Sequence, residues 1–407
     1  MKFIHAADVH LDSPFSGLLQ KGNLPNTLAT AITKSTFSSF KKIVNDAIEE
    51  SVDFVILAGD LFDRNDRSIA ADAFINDQFN QLKDHQIPVY LIFGNHDFFN
   101  FDNDHLDYPE NVHVFKNDVS TETLTLNDGK TVVLSGFSFK TQWIHDSYAD
   151  KFPAKSGTDW AIGIMHGSAD SVDSPEANYA PFSISQLENK NYDYWALGHI
   201  HKRQSLNADK TINYAGNTQG RSINEAGDKG YLLVSEQNGK LIPEFKKTAV
   251  IDWKLVTMPV DELKPAELVD RVLAKLADLN LPTTTLVRLV LQSTKPSSVI
   301  GDAVKEGDLL EQLQTSNSRV YADINAYIVS VKYQVTETKI TSPVDQEFFE
   351  QAADSVLKET QVEKYQSLFN DYQFISEDLK TAESQSEIVQ MSRQVINEKV
   401  NIEQEDR

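Results

Sequence analysis

The stretch VDFVILA, residues Val52–Ala58, is a short apolar run that leads directly into Gly59 and Asp60. A run of this length is typical of a strand that is buried on both faces. Similar runs predict further strands at Phe3–Ala7, Val89–Phe93, Thr131–Phe137, Trp160–Met165, Tyr192–Leu197 and Tyr231–Ser235. Between them, apolar residues recur at helical spacing over about 29–50 and 68–85. This alternation predicts an α/β fold built in layers.

The composition indicates a globular protein, with 40% hydrophobic and 24% charged residues among 407. No apolar run approaches the ~20 residues that cross a bilayer, and no secretory signal is recognisable, so we predict no membrane association and a cytoplasmic location. The absence of cysteine excludes disulfides and thiolate metal ligands. The formal net charge of -22 argues against a broad basic surface for nucleic acid, although it still permits a local basic groove.

Polar segments follow the predicted strands at five places, and each contains an aspartate, an asparagine or a histidine. They are Asp8-Val9-His10, Gly59–Asp63, Gly94–Asp97, His166-Gly167 and Gly198–His201. In open α/β sheets the ligand site lies beyond the carboxyl ends of the strands, so all of these segments are expected to point into one crevice.

The chemistry of these segments suits a metal site. Aspartate, asparagine and histidine are ligands for Mn, Fe, Zn or Mg. In the pairs Asp8/His10 and His199/His201, residues i and i+2 project to the same side of an extended backbone and can converge on one ion. Any one segment alone is equally well explained as a polar turn, but their repetition at successive strand ends favours a metal centre.

The ordered set D-x-H, GD-x-x-D, GNH-D, H-G and GH-x-H resembles the calcineurin-like metallophosphoesterase superfamily over about residues 1–240. Within it, FIHAADVHLDSPF (residues 3–15) and GNTQGRSINE (residues 216–225) resemble the SbcD-type DNA repair nucleases, and more narrowly their YhaO-like bacterial branch. The resemblance implies a layered β-sandwich core with flanking helices, followed by a small α+β cap domain and C-terminal helices.

The resemblance also implies two divalent metal ions, Mn being the expected metal, and a set of residues around them. The implied ligands are Asp8, His10 and His201 for the first ion, Asn95, His166 and His199 for the second, and Asp60 as the bridge between them. His96 is the implied catalytic histidine that assists the leaving oxygen, and Asp63 stands where many family members place a partner carboxylate for it.

Basic residues next to these motifs are candidates for contacts with substrate phosphates. Each of them is equally well explained as a solvated surface charge. These candidates are Arg64, Arg67, Lys202, Arg203 and Arg221.

The chain is expected to contain three parts. Residues 1–247 form the catalytic domain, residues 250–340 a cap domain that positions DNA, and residues 343–407 a helical region that binds a partner. The implied partners are DNA, an SMC-like coiled-coil ATPase of the SbcC or YhaN type, and a second copy of the chain.

We therefore predict a Mn-dependent phosphodiesterase that acts on DNA as an exonuclease or endonuclease in repair. Two alternatives remain open at this stage. The first is the same chemistry on a smaller substrate, such as a nucleotide, a cyclic nucleotide or a phosphoprotein, and the acidic net charge keeps it open. The second is a non-catalytic component of an ATPase complex, in which the metal site only stabilises an interface.

Overall fold

A computed structural model describes residues 1–335, except 20–23, 66, 103–106, 173–177, 262, 264 and 295–296, together with residue 351. Within these residues the strands are β1 Lys2–Ala6, β2 Phe54–Ala58, β3 Val89–Ile92, β4 Val112–Val114, β5 Ser120–Thr125, β6 Thr131–Gly136, β7 Trp160–His166, β8 Tyr194–Gly198, β9 Gln204–Ser205, β10 Ile212–Tyr214, β11 Gly230–Gln237, β12 Lys240–Lys247, β13 Asp252–Pro259, β14 Thr285–Ser293 and β15 Ala326–Val335. The α-helices are α1 Ser16–Leu19, α2 Asn26–Thr33, α3 Ser35–Glu49, α4 Ile69–Asp84, α5 Ile184–Glu188, α6 Pro265–Ala277, α7 Ser298–Glu306, α8 Asp308–Asn317 and α9 Tyr321–Ile324.

The first two sheets have six strands each and form a sandwich. Their strand orders are β12-β11-β1-β2-β3-β4 and β5-β6-β7-β8-β10-β9. Strands β1 to β4 pair in parallel, and so do β6, β7, β8 and β10. In both sheets the antiparallel strands stand at the ends of the order, so the parallel strands that carry the polar segments lie together.

The continuous apolar run of β2 is explained by burial on both of its faces. Val55 and Leu57 pack into a core shared with α3 and α4, while Phe54, Ile56 and Ala58 pack into the core that includes residues of both sheets. Successive side chains of a strand point to opposite faces, so a strand between two cores needs apolar residues at every position.

A buried histidine links the two sheets beneath the site. His5 of β1 lies 3.0 Å from the Tyr194 hydroxyl through Nδ1 and 3.1 Å from the Leu197 carbonyl oxygen through Nε2. Burial lowers the pKa of His5 to about 3. The imidazole is therefore neutral, and both of its nitrogens have polar partners on β8 of the facing sheet.

The third sheet, β13-β14-β15, is parallel throughout, and its strands are connected through helices. Helices α6, α7 and α8 pack on it around Val272, Leu276 and Leu313. Another cluster joins this sheet to the N-terminal helices, where Phe15 and Leu28 pack with Trp253.

The predicted strands are all confirmed to within a few residues, and the Ser68 hydroxyl caps α4 by accepting a hydrogen bond from the Ala71 amide. The helical pattern over 29–50 proves to be two helices, α2 and α3, which are separated at Lys34. The expected layered β-sandwich is confirmed, and the strands that carry the polar segments belong to its two facing sheets. The predicted helical region 343–407 lies outside the described residues apart from residue 351. No helix in the described part of the chain is long and apolar enough to cross a membrane.

Candidate metal centre

The structure brings all of the predicted metal ligands to one edge of the sandwich. Asp8, Asp60 and Asn95 follow β1, β2 and β3 of the first sheet, whereas His166 ends β7 and His199 follows β8 of the second. Parallel strands end at the same edge of a sheet. Because the two sheets face each other, the carboxyl ends of their parallel strands lie close together.

Unusual backbone conformations mark the same positions. The φ angles of Asp8, His10, Asp60 and His199 are 50°, 49°, 51° and 97°, in the left-handed region that side chains with a Cβ seldom adopt. Hydrogen bonds from main-chain amides stabilise them: the His10 amide donates to the Asp60 carbonyl at 3.0 Å, and the His199 amide donates to the Asp8 side chain at Oδ1 at 2.9 Å. Strain of this kind typically persists where the surrounding structure positions a functional group.

One group of potential ligands consists of Asp8, His10, Asp60 and His201, whose ligand atoms all lie within 4.8 Å of one another. The Nε2 atoms of His10 and His201 face each other at 3.0 Å. Burial and the nearby Arg221 charge hold the pKa of His10 well below its usual value, so this imidazole is neutral. Two imidazoles with converging nitrogens and two carboxylates are a suitable donor set for a divalent cation.

The second group contains Asn95, His166 and His199. Asn95 Oδ1 lies 3.0 Å from His166 Nε2 and 3.2 Å from His199 Nδ1. His166 Nδ1 lies 3.0 Å from the Ala58 carbonyl oxygen, to which it donates, so Nε2 is the nitrogen directed at the group. Asp60 Oδ2 lies 3.3 Å from His166 Nε2 and 3.9 Å from His10 Nε2, which places its carboxylate between the two groups.

The polar atoms of the centre lack partners that a cation would provide. Asp8 Oδ2 is buried without a hydrogen bond, which is costly unless another group compensates. His10 Nδ1, on the far side of the ring from the Nε2 that faces the centre, is also buried without a hydrogen bond and lies 3.6 Å from Asp63 Oδ1. Burial raises the pKa of Asp8 to about 6. Burial also opposes a charge on His166, but the carboxylates of Asp60 and Asp8 outweigh it and raise the His166 pKa to about 9. The centre therefore attracts positive charge, and its residues fit divalent metal ions.

His96 stands beside the first group without joining it. Its ring centroid lies 5.0 Å from that of His10, and its amide donates to Asp60 Oδ1 at 3.0 Å. His96 Nδ1 lies 2.9 Å from the main-chain carbonyl oxygen of Asp63, so it donates to that oxygen and Nε2 is left for a substrate. His96 was expected to contact the carboxylate of Asp63. In the structure it contacts the main-chain oxygen of Asp63, and the carboxylate forms an ion pair with Arg221 at 2.5 Å.

Asp97, the last residue of the GNHD segment, connects two loops of the centre. One of its oxygens accepts hydrogen bonds from the amides of Leu61 and Phe62 at 2.7 and 3.2 Å, and the other accepts one from Gly94 at 2.7 Å. The carboxylate is fully buried. Asp97 therefore positions the loops that carry Asp60 and Asn95.

Glu225, for which the sequence predicted no role, supports a metal ligand. Its Oε1 lies 2.9 Å from His201 Nδ1, while Oε2 accepts hydrogen bonds from the Arg221 amide and from Asn217 Nδ2 at 2.6 and 2.8 Å. Burial alone would raise the pKa of Glu225, but the Arg221 guanidinium and His201 hold it well below its usual value. The ionised carboxylate thus keeps the proton on His201 Nδ1 and directs Nε2 toward His10.

The Glu225→Gln substitution is expected to weaken the binding of one divalent metal ion by about 10- to 100-fold, the usual cost of losing a carboxylate that orients a metal-bound histidine. The amide retains the size of the side chain but not the charge that favours the required His201 tautomer. Isothermal titration with Mn²⁺ measures the effect, and exposed Glu244→Gln is the matched control. Unchanged affinity at every site would contradict the assigned role.

The basic candidates have different surroundings. Arg64 is 65% exposed at its side chain, and Lys202 is exposed. The guanidinium of Arg67 packs over the Phe62 ring at 4.5 Å, and that of Arg203 over Phe245 at 3.5 Å. Arg221 is held in ion pairs with Asp63 and Glu225. Arg64, Lys202 and Arg203 are therefore the exposed candidates, and of these Arg203 has its guanidinium stacked on a ring.

The family follows from comparison with known proteins. A family model described as calcineurin-like phosphoesterase matches residues 1–203. The uncharacterized metallophosphoesterase YhaO of Bacillus subtilis is 39% identical over 302 residues, which cover 73% of this chain and 72% of that protein. The chain belongs to the calcineurin-like phosphoesterase family. As a member of this family it is a hydrolase whose Asp/His cluster holds divalent metal ions.

Two further relatives of this calcineurin-like phosphoesterase carry the names of a DNA repair protein and a nuclease. The DNA double-strand break repair protein Mre11 of Thermoplasma acidophilum is 28% identical over 226 residues, covering 50% of this chain and 57% of that protein. A component of the nuclease SbcCD of Staphylococcus epidermidis is 24% identical over 280 residues, covering 60% of this chain and 68% of that protein. These similarities confirm the resemblance to SbcD-type and YhaO-like proteins.

Proposed function

We propose that this phosphoesterase hydrolyses phosphodiester bonds of DNA with Mn²⁺, as an exonuclease or endonuclease in DNA repair. The observation that carries the proposal is the position of His96, a histidine beside a metal-ligand cluster whose Nδ1 is bound to a main-chain oxygen and whose Nε2 has no hydrogen-bond partner among the described residues. The names of the Mre11 and SbcCD relatives support DNA as the substrate.

The proposed ligands are Asp8, His10 and His201 for one ion, Asn95, His166 and His199 for the other, and Asp60 for both. Two divalent ions bound there would neutralise charge on the scissile phosphate and lower the pKa of a water molecule. The protein itself positions these ligands, and Glu225 and Asp97 hold them in place.

His96 is proposed to act as the general acid. In the reaction, a water oxygen attacks the phosphorus and gives its proton to solvent, and the bond from phosphorus to the leaving ester oxygen breaks. The leaving oxygen takes a proton from His96 Nε2 and becomes a hydroxyl, while the phosphate stays on the other product. The hydrogen bond from Nδ1 to the Asp63 carbonyl fixes the ring so that Nε2 faces the leaving oxygen.

The His96→Ala substitution is expected to lower the rate of DNA cleavage by about 10²- to 10³-fold, since general acid catalysis contributes in this range. The measurement is digestion of end-labelled linear single- and double-stranded DNA in Mn²⁺. Bound metal should remain unchanged, because His96 is not among the proposed ligands. His85→Ala is the control, since His85 is an exposed histidine at the end of α4.

The outcomes separate the competing functions. Cleavage that is lost in His96→Ala supports a nuclease. Hydrolysis of bis(p-nitrophenyl) phosphate without cleavage of either DNA would contradict DNA as the substrate of the isolated chain and favour a small phosphoester. Absence of all hydrolysis, together with loss of assembly on metal removal, would favour a non-catalytic component of an ATPase complex.

The remaining parts of the chain are assigned by the same proposal. Residues 1–247 form the catalytic domain, and residues 250–340 position DNA over the metal centre. Residues 343–407 bind an SMC-like coiled-coil ATPase, and the chain forms a homodimer in the cytoplasm. Arg64, Lys202 and Arg203, which are exposed, are the proposed phosphate contacts that best fit the structure.

A further inference from the structure

An exposed tryptophan lies near the metal centre. Trp143 is 52% exposed, whereas the other three tryptophans of the chain, Trp160, Trp195 and Trp253, are exposed by 9% or less. Tryptophan is usually well buried, because its ring has a large apolar surface. Core packing therefore accounts for three of the tryptophans, whereas it does not account for the exposed position of Trp143.

A single intervening ring connects Trp143 with a metal ligand. Trp143 packs edge-on against Tyr179 with ring centroids 5.5 Å apart, and the Tyr179 ring lies 5.6 Å from that of His199. His145, which is also exposed, has its ring 6.1 Å from the Tyr179 ring. We call Trp143, His145 and Tyr179 the aromatic rim. Two exposed rings and one buried ring thus lead from solvent to the metal centre.

Hydrogen bonds hold the aromatic rim in position. The Ala180 amide donates to the Ile144 carbonyl at 2.7 Å, which joins the two segments of the rim. The Ser168 amide donates to the Tyr179 carbonyl at 2.8 Å. The Thr141 hydroxyl donates to the Trp143 carbonyl at 3.1 Å. An aromatic surface that is already positioned costs little entropy when a ligand binds.

We propose that Trp143 stacks on a nucleobase of the nucleic acid strand whose phosphodiester lies at the metal centre, an inference that rests on the proposed nuclease function. Every base has a π-face, so stacking on an aromatic side chain tolerates any sequence. The chemistry also suits the charge of this protein. At a net charge of -22, a broad basic surface does not hold the strand, whereas stacking on a neutral ring requires no positive charge.

The test measures the affinity for single-stranded oligonucleotides in the presence of Mn²⁺. All variants are made in the His96→Ala background, in which cleavage is expected to be slow. Trp143→Ala should weaken binding about tenfold, the effect expected when one base loses its aromatic partner. Trp143→Phe should retain most of the affinity, because phenylalanine keeps a ring. Ile242→Ala, which also shortens an exposed apolar side chain, should have no effect.

An abasic oligonucleotide of the same length shows whether Trp143→Ala loses affinity because stacking on a base is lost or for another reason. The parent and Trp143→Ala should bind it equally, since it offers no base. Because Trp143 alone among the tryptophans is well exposed, binding of ordinary DNA should also change the intrinsic fluorescence, and this change should vanish in Trp143→Ala.

Equal weakening on ordinary and abasic strands, or no weakening on either, would overturn the role of Trp143. If the parent binds ordinary DNA and Trp143→Ala binds it equally well, only the stacking proposal fails. If the parent binds no oligonucleotide while the wild-type chain hydrolyses bis(p-nitrophenyl) phosphate, the proposed DNA function fails, and stacking fails with it.

Discussion

Replacing Gly94 with alanine is expected to lower phosphodiester hydrolysis by about 10⁴-fold and to abolish binding of the two proposed Mn ions, while the chain still folds. A Cβ at this position would lie 2.2 Å from Asp60 Oδ1 and 2.7 Å from His166 Nε2. Both atoms belong to proposed ligands, and both contacts are too short to persist. Displacing a positioned group by about 1 Å costs about 10²-fold in rate, so displacing two accounts for the expected loss.

The main chain of Gly94 cannot easily move away to relieve these contacts, because its amide donates to the buried Asp97 carboxylate at 2.7 Å. Bound Mn per chain after dialysis and the rate on bis(p-nitrophenyl) phosphate measure the effect, and a thermal melt verifies the fold. Gly17→Ala is the matched control, since nothing lies within 4 Å of its added carbon. Activity within about tenfold of wild type in Gly94→Ala would show that the ligands are not placed as described.

The sequence predicts the strands and the residues at their ends because both depend on local pattern. The run at Val52–Ala58 must be a strand between two cores, and the polar residues after it must lie at a sheet edge. The division of the strands between two sheets was implied by the family resemblance and not by local pattern. It depends on pairing across long separations, such as β1 with β11, which no local pattern encodes.

The supporting residues of the metal centre were also beyond local pattern. Glu225 reaches His201 over 24 residues, and Asp97 reaches the Leu61 amide over 36. The only signals were the segments that contain them, GNTQGRSINE and GNHD. The hydrogen bond of His96 was likewise not predictable in detail. The sequence indicates that Asp63 is near His96, but it does not indicate that the main-chain oxygen of Asp63 accepts the hydrogen bond from His96 Nδ1.

The Asp60→Asn substitution is expected to remove measurable hydrolysis, a loss of about 10⁴-fold or more. Its carboxylate lies between the two ligand groups, 3.3 Å from His166 Nε2 and 3.9 Å from His10 Nε2. Both distances are measured to Oδ2, and in an asparagine whose oxygen keeps the bond of Oδ1 this position is an uncharged NH₂ group that cannot bind a cation. Metal-based stabilisation of a phosphoryl transition state is worth several kcal/mol, and each ~1.4 kcal/mol is a factor of ten in rate.

Asparagine is chosen because it separates the charge of Asp60 from its structural role. Asp60 Oδ1 accepts the His96 amide at 3.0 Å, and the oxygen of an asparagine can accept the same bond. The loops should therefore keep their positions, and the loss of Mn should be attributable to the missing charge. Mn content and hydrolysis of bis(p-nitrophenyl) phosphate are compared with those of exposed Asp128→Asn. If Asp60→Asn bound two Mn ions per chain and kept its rate within about tenfold, Asp60 would not be the bridge, and the two ligand groups would have to act as independent sites.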